Sequence, residues 1–178
     1  MKITLVRHGE TEDNFKGILQ GRRNVLMNDT GRRQAQMLRM KLNDKKFDYC
    51  YTSPLTRAVE TAMILIGDKV EMIPDKRLIE RDLGELESKS REMYNSYKFW
   101  DYDLNKEDFK VEQVQEIFKR CENFLDYIKE KYSDKSILIV THAAPYRALR
   151  HLLKGTKLEG NLLDGPIKNC QIEEFEIK

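Results

Sequence analysis

The sequence predicts an α/β fold: a three-layer α/β/α sandwich with a mostly parallel central sheet. Short apolar runs alternate along the chain with longer segments of helical periodicity, which is typical of parallel sheets covered by helices on both faces. The runs at 3–6 and 137–140 are rich in β-branched and aliphatic residues, as in buried strands. The chain of 178 residues contains no repeat, linker or low-complexity segment, so a single domain over 1–178 is expected.

The elements follow in order from these patterns. Strands are expected at 3–6, 47–51, 70–73, 137–140 and, alternating and at an edge, 171–177. Helices are expected at 31–42, 53–66, 111–128 and 145–153. Thr30 is placed to cap the first helix. Ser53 and Pro54 favour a helix start, because serine supplies a capping oxygen and proline fits a first turn. Gly67 would end that helix, and Pro145 would open the last one.

Residues 80–107 are interpreted as a lid or insert within the domain. Aromatic residues lie close together in this segment, at Tyr94, Tyr97, Phe99, Trp100 and Tyr102. Packing against the core is the favoured interpretation, because aromatic side chains bury large apolar areas. A lid over a pocket is the alternative.

The composition limits the classes of partner. Charged residues make up 35% of the chain, hydrophobic residues 40%, and the net charge is +2. Basic and acidic residues are interspersed, which argues against a nucleic-acid partner. No apolar run approaches membrane-spanning length, so no membrane partner is expected. Cys50, Cys121 and Cys170 have neither zinc-ligand nor redox-motif spacing, which favours a reducing, cytoplasmic location.

Two of the three histidines follow the two most hydrophobic strands, His8 after the first and His142 after the fourth. Because ligands bind at the carboxyl ends of parallel strands, both side chains are expected in one crevice. Arg7 offers a fork of donors that suits phosphate oxygens, and a neutral imidazole is a competent nucleophile. A metal site is the rival explanation, but neither histidine has close ligand spacing. His151 is interpreted as an ordinary surface or packing residue.

Several motifs occur in order along the chain: Arg7-His8-Gly9-Glu10-Thr11, Gln20-Gly21-Arg22, Ser53-Pro54-Leu55-Thr56-Arg57-Ala58, Glu80 with Gly84, and Thr141-His142. Together they resemble the histidine phosphatase superfamily, also called phosphoglycerate mutase-like, over nearly the full chain. The resemblance implies phosphoryl transfer from a small-molecule phosphate ester, with no metal and no cofactor.

The resemblance also implies a role for each matching residue. His8 is the nucleophile and forms a phosphohistidine intermediate that water hydrolyses. Arg7, Arg57 and His142 surround the transferring phosphoryl group and stabilise charge on its oxygens. Glu80 serves first as general acid and then as general base.

The acid and the binding residues are less distinct in the sequence itself. Spacing alone does not separate Glu80 from Glu85 or Glu87, and only the resemblance selects it. The positions that match phosphate or substrate contacts in the family are Asn14, Gln20, Gly21 and Ala143. Ser88 departs from a common glycine, and Ala143-Ala144 replaces a common Gly-Gly or Gly-Asn, which affects the shape of the pocket more than its chemistry.

The substrate is inferred from the region after the acid. This region is short and aromatic, whereas phosphoglycerate mutases usually carry a longer, basic insertion there. Within 94–102 the cation is Lys98, which favours a larger or less acidic organic phosphate. We therefore expect a phosphatase for a small organic phosphomonoester, of the broad-specificity, α-ribazole or sugar-phosphate type. A phosphoglycerate mutase and a phosphatase for a phosphoprotein partner stay open as alternatives.

Overall fold

A five-stranded sheet forms the centre of the molecule. The computed structural model describes residues 1–104 and 108–177. Its strands are β1 (Lys2–Arg7), β2 (Tyr49–Thr52), β3 (Met72–Pro74), β4 (Ser136–Thr141) and β5 (Ile172–Glu176). Their order across the sheet is β3-β2-β4-β1-β5. The first four strands run parallel, and β5 lies antiparallel to β1 at the edge. The mostly parallel sheet and the edge position of the last strand are confirmed.

Helices cover both faces of the sheet. They are α1 (Glu12–Lys16), α2 (Asp29–Lys41), α3 (Thr56–Ile66), α4 (Ser96–Phe99), α5 (Val114–Lys131) and α6 (Ala143–Leu153). Short 3₁₀ turns occur at Lys76–Leu78, Gly84–Leu86, Arg91–Met93 and Asp108–Lys110. The sequence did not predict α1, α4 or these turns, because each is too short to show a helical period.

Alternate side chains of β4 point into two different cores. Ile137 and Ile139 belong to the cluster that contains the apolar residues of α5 and α6. Leu138 and Val140 belong to the cluster that contains those of α2 and α3. Since successive side chains of a strand point to opposite faces, one strand is buried by both helical layers. The predicted three-layer α/β/α sandwich is confirmed.

The start of α2 differs from the prediction. The helix begins at Asp29, and Asn28 is its N-cap residue instead of Thr30. The Asn28 side chain accepts a hydrogen bond from the Gly31 amide at 2.8 Å. Both residues have side chains that can cap a helix, and the sequence alone did not distinguish them.

The starts of α3 and α6 also differ from the prediction. Ser53 and Pro54 lie before α3, which begins at Thr56 without a capping side chain. α6 begins at Ala143, so that Pro145 lies within its first turn, where a missing amide hydrogen costs little. α3 starts just beyond the carboxyl end of β2, and α6 starts just beyond that of β4. The first amide groups of both helices therefore lie at the edge of the sheet where the parallel strands end.

The aromatic segment mostly packs, as predicted. Phe99 and Trp100 are buried, and Tyr94 stacks on Phe99 with ring centroids 5.0 Å apart. Tyr102 packs edge-on against Phe118 of the main core. For Tyr97 the prediction is wrong, since its side chain is 68% exposed.

Candidate active site

The two predicted histidines meet at the carboxyl edge of the sheet. β1 and β4 are neighbours, and their register pairs Arg7 with Thr141. His8 and His142 follow directly, and their ring centroids are 5.0 Å apart with the ring planes inclined by 59°. Both side chains are buried. Arg57, in the first turn of α3, donates from Nε to Nδ1 of His142 at 3.2 Å. Residues distant in sequence are thus brought together as the strand order requires.

The His8 ring is held in one tautomer. Its Nδ1 lies 2.7 Å from the Gly9 carbonyl oxygen, which can only accept, so Nδ1 carries the hydrogen. Burial, together with the charges of Arg7 and Arg57, lowers the pKa of His8 well below its ordinary value of 6.5. The imidazole is therefore neutral at physiological pH, and Nε2 has a free lone pair.

His142 lies behind the cavity. Its Nδ1 accepts from Arg57, so Nε2 carries the hydrogen and donates to the Ser53 hydroxyl at 2.7 Å. Burial, with Arg57 and His8 as further causes, lowers the pKa of His142 well below 6.5. The side chain is fully buried and is not among the residues that line the cavity, whereas His8 and Arg57 are. In the structure it holds the Arg57 guanidinium; direct contact with a phosphoryl group stays a prediction.

The sequence did not identify what Ser53 does. It was interpreted as a helix cap, but its hydroxyl accepts from the His142 ring and from the Leu55 amide, at 2.7 and 3.3 Å. The only sequence feature that pointed to a role for Ser53 in the site was its place in the motif Ser53-Pro54-Leu55-Thr56-Arg57-Ala58, which resembles the family pattern.

Two arginines provide positive charge beside His8. Arg57 is 1% exposed and donates to the carbonyl oxygens of Arg23 and Gly21 at 2.7 and 2.9 Å, which fixes the guanidinium. Arg7 donates through NH1 to the Ile167 carbonyl, and its buried Nε has no partner among the residues that the structure describes. Burial lowers the pKa of each to about 10, so both stay charged at neutral pH.

Glu80 lies at the amino terminus of α6. Its Oε1 accepts from the Ala144 and Arg81 amides at 3.1 and 2.9 Å, and its Oε2 accepts from the Ala143 amide at 3.2 Å. The Ala143 amide, expected to donate to phosphate, donates to this carboxylate in the structure. A helix amino terminus favours an anion, so the same two amides can hold either a carboxylate or a phosphate.

The competing acids lie elsewhere. Glu87 accepts from the Arg22 amide at 2.7 Å, and Glu85 pairs with Lys110 at 2.8 Å. Neither lines the cavity that Glu80 lines.

The remaining predicted binding residues line the same cavity. Asn14 accepts through Oδ1 from the Thr11 amide and from Asn169 Nδ2, which leaves its own Nδ2 as the group available to donate. The Gln20 side chain is buried, and its Oε1 has no partner within the described ranges. Gly21 has φ +53°, so a larger residue there would strain the backbone, and its Cβ would also displace the Glu87 side chain, whose oxygen would lie 2.0 Å away.

The cavity has a volume of about 430 Å³. We call the side formed by Arg7, His8, Arg57 and Ala143 the histidine wall. We call the side formed by Arg91, Tyr94, Ser96 and Trp100 the aromatic wall.

Sequence analysis missed Arg91 and Arg147, which also line the cavity. The prediction about the substrate rested on the cation within 94–102, and Arg91 lies just before that range. Arg147 is one helical turn beyond Ala143, a spacing that places both on one face of α6 and that could have revealed it.

Three further observations describe the chain. Among residues 1–104 and 108–177, no group of three or more histidines, cysteines, aspartates or glutamates is arranged to hold a metal ion. None of the helices described is both long and apolar enough to cross a membrane. Cys50, Cys121 and Cys170 are free thiols, and burial raises the pKa of each to about 12.

Known proteins resemble this chain in sequence and in fold. The family model of the histidine phosphatase superfamily (branch 1) matches residues 3–178. Phosphoglycerate mutase-like protein 4 of Arabidopsis thaliana is 34% identical over 83% of this chain and 69% of that protein. Phosphoserine phosphatase 1 of Hydrogenobacter thermophilus is 30% identical over 89% of this chain and 78% of that protein.

Among solved structures, Bacillus stearothermophilus YhfR superposes with a TM-score of 0.88 at 26% identity, covering 99% of this chain and 91% of the other. The relatives and the family model confirm the predicted enzyme class, a phosphoric monoester hydrolase. The strand order, the paired histidines and these matches lead to one conclusion: the chain belongs to the histidine phosphatase superfamily.

Proposed function

We propose that the protein hydrolyses a small organic phosphomonoester through a phosphohistidine formed on His8. The observation that carries this proposal is the tautomer of His8. Its Nδ1 hydrogen is donated to the Gly9 carbonyl, so the Nε2 lone pair is the nucleophile that remains. The ring lines the cavity together with Arg7 and Arg57, which matches the charge that develops on a transferring phosphoryl group.

The first step forms a bond between His8 Nε2 and phosphorus and breaks the ester P–O bond. The leaving alkoxide takes a proton from Glu80. In the second step water attacks phosphorus, Glu80 takes a proton from that water, and the N–P bond breaks to release inorganic phosphate. Arg7 and Arg57 stabilise the equatorial oxygens in both steps, and in this scheme they supply the charge for which other phosphatases use a metal.

Glu80 must be protonated to act as the acid in the first step. The dianionic phosphate group of the substrate competes with its carboxylate for the Ala143 and Ala144 amides. A carboxyl group displaced from those amides and placed beside a dianion is favoured in its neutral form. Substrate binding would thereby prepare the acid.

A panel of phosphate esters assayed in the presence of a chelator tests the proposal. We expect turnover that survives chelation and is lost in His8→Ala. His151→Gln is the matched control, because His151 lies outside the cavity and contacts the Leu162 carbonyl oxygen. We expect this variant to keep the wild-type turnover.

Other outcomes would identify the alternatives. Interconversion of phosphoglycerates that is faster than hydrolysis would show a mutase and overturn the hydrolase. If the protein hydrolyses no small ester but dephosphorylates a phosphoprotein, it is a phosphatase for a phosphoprotein partner. The cytoplasmic location predicted from the free cysteines stays a proposal of the same kind.

A further inference from the structure

The cavity carries more positive charge than a phosphate group alone can neutralise. Its lining residues include one carboxylate, Glu80, and five arginines: Arg7, Arg57, Arg81, Arg91 and Arg147. The lining histidine, His8, is neutral, because burial lowers its pKa. A phosphomonoester near neutral pH contributes about two negative charges, and Arg7 and Arg57 already match these. The three arginines outside the histidine wall therefore need a separate explanation.

Arg81 is used by the fold. It is 3% exposed and donates to the carbonyl oxygens of Glu112 and Phe99 and to the Tyr94 hydroxyl, at 2.7, 2.8 and 3.0 Å. Its guanidinium carbon lies 5.5 Å from the centre of the Trp100 ring. These contacts hold the aromatic wall together and leave Arg81 little freedom to bind a ligand.

Arg147 is only partly available. Its Nε donates to Asp164 at 2.8 Å, and its NH2 donates to the Gly165 carbonyl at 2.5 Å. The guanidinium carbon lies 4.5 Å from the centre of the Trp100 ring. The group is therefore fixed in orientation and its charge is matched by Asp164, while it still lines the cavity.

Arg91 is different from both. Its backbone amide donates to the Gly17 carbonyl at 2.7 Å, and its neighbour Ser90 bridges to Ile18, so its turn is anchored to the loop after α1. Its side chain is exposed, lines the cavity and has no carboxylate partner in the part of the chain that the structure describes. Arg91 and Arg7 line the same cavity, and the charge of Arg91 adds to the effect of burial, the main cause of the lowered pKa of Arg7.

We infer that Arg91 binds a carboxylate of the substrate, so that the natural substrate is a phosphomonoester of an organic acid. This inference rests on the proposed function and names the substrate class for the same site. One unmatched guanidinium fits a monoanion, whereas a second phosphate would bring two charges. A carboxylate accepts well from the planar donor fork of arginine. This inference differs from the expectation of a larger or less acidic substrate, which rested on Lys98 and did not include Arg91.

Two pairs of substrates isolate the carboxylate. 3-Phosphoglycerate differs from glycerol 3-phosphate by a carboxylate in place of a hydroxymethyl group, and phosphoserine differs from phosphoethanolamine by the carboxylate alone. We expect the wild-type kcat/KM to favour the carboxylate-bearing member of at least one pair by about tenfold or more, the range of a hydrogen bond to a charged group. In Arg91→Gln that ratio should fall at least about fivefold, chiefly through KM.

Lys89→Gln is the matched control. Lys89 is exposed, lies in the same segment and does not line the cavity, so its removal changes net charge equally. We expect the wild-type ratio in this variant. Turnover of p-nitrophenyl phosphate shows that the phosphatase is active. Given that turnover, equal kcat/KM values within both substrate pairs would overturn the inference. The same ratio in Arg91→Gln as in wild type would also overturn it. Loss of turnover with every ester would instead overturn the proposed function.

Discussion

The histidine wall and the aromatic wall of the cavity are built from different kinds of structure. His8 and Arg57 lie at a strand end and in the first turn of a long helix, and both are nearly inaccessible. Arg91 and Tyr94 lie in and after a 3₁₀ turn, where Arg91 is exposed. The proposed nucleophile and the arginine beside it are fixed by regular elements, whereas the proposed general acid, Glu80, and the groups proposed to recognise the rest of the substrate are carried by irregular segments. The predictions below test this division.

Among the variants that compare the two walls, the largest effect is expected from Arg57→Ala. In the proposed mechanism it removes one guanidinium from the transferring phosphoryl group, and it also removes the donor to His142 Nδ1. We expect kcat to fall by about 10²–10³-fold, the range for loss of one donor to developing charge. The measurement is steady-state kinetics with p-nitrophenyl phosphate.

Arg81→Leu is the contrasting variant, since it removes a similarly buried arginine whose contacts hold the aromatic wall together. Its donors to Glu112, Tyr94 and Phe99 are structural. We expect a lower Tm and a raised KM, with kcat reduced much less than in Arg57→Ala. An equal loss of kcat in the two variants would contradict the assignment of chemistry to the histidine wall and of substrate recognition to the aromatic wall.

The histidine wall follows from the sequence because its positions are tied to regular elements. A histidine after each of the two most apolar strands must reach the same edge once those strands are neighbours in a parallel sheet. The arginine of α3 reaches that edge for a similar reason, since α3 starts immediately beyond β2.

The aromatic wall could not be predicted in this way. Its position depends on turns such as Arg91–Met93, which have no period, and on long-range contacts such as the Ser90–Ile18 bridge. The exposure of Tyr97 and the reach of Arg91 into the cavity are consequences of those turns. Likewise, nothing local in the sequence reveals that Ser53 accepts a hydrogen bond from His142, because that contact joins two separate strand ends.

The free energy of unfolding is expected to depend on pH. His8 and His142 have pKa values lowered by burial and by nearby arginines, while in the unfolded chain they return to about 6.5. As pH falls below about 6.5, the unfolded state takes up two protons that the folded state does not, so the free energy of unfolding decreases. The slope should approach about 2.7 kcal/mol per pH unit, at about 1.36 for each histidine.

Urea unfolding between about pH 5.5 and 7.5 measures this slope. The variant His8→Gln removes one titrating group from the histidine wall and should show about half the slope. A free energy of unfolding that does not change over this range would contradict the burial of neutral imidazoles.

The smallest effect is expected in the dynamics of the aromatic wall. We propose that the segment 80–107 acts as a lid, and its described part consists of short turns with many exposed side chains. Amide exchange should be faster over Arg91–Met93 and α4 than over β1 and β4, and addition of vanadate should slow it. If amide exchange over Arg91–Met93 and α4 is as slow as over β1 and β4, and vanadate does not change it, the segment is a rigid insert and not a lid.

The most direct test of the mechanism is detection of the phosphorylated enzyme. Protein mixed with substrate, quenched at alkaline pH within the first turnover and mapped by peptide mass spectrometry should carry one phosphoryl group, on His8, that is labile to acid. Phosphorylation of another residue, or a complete turnover of wild-type protein in which His8 is never phosphorylated, would contradict it.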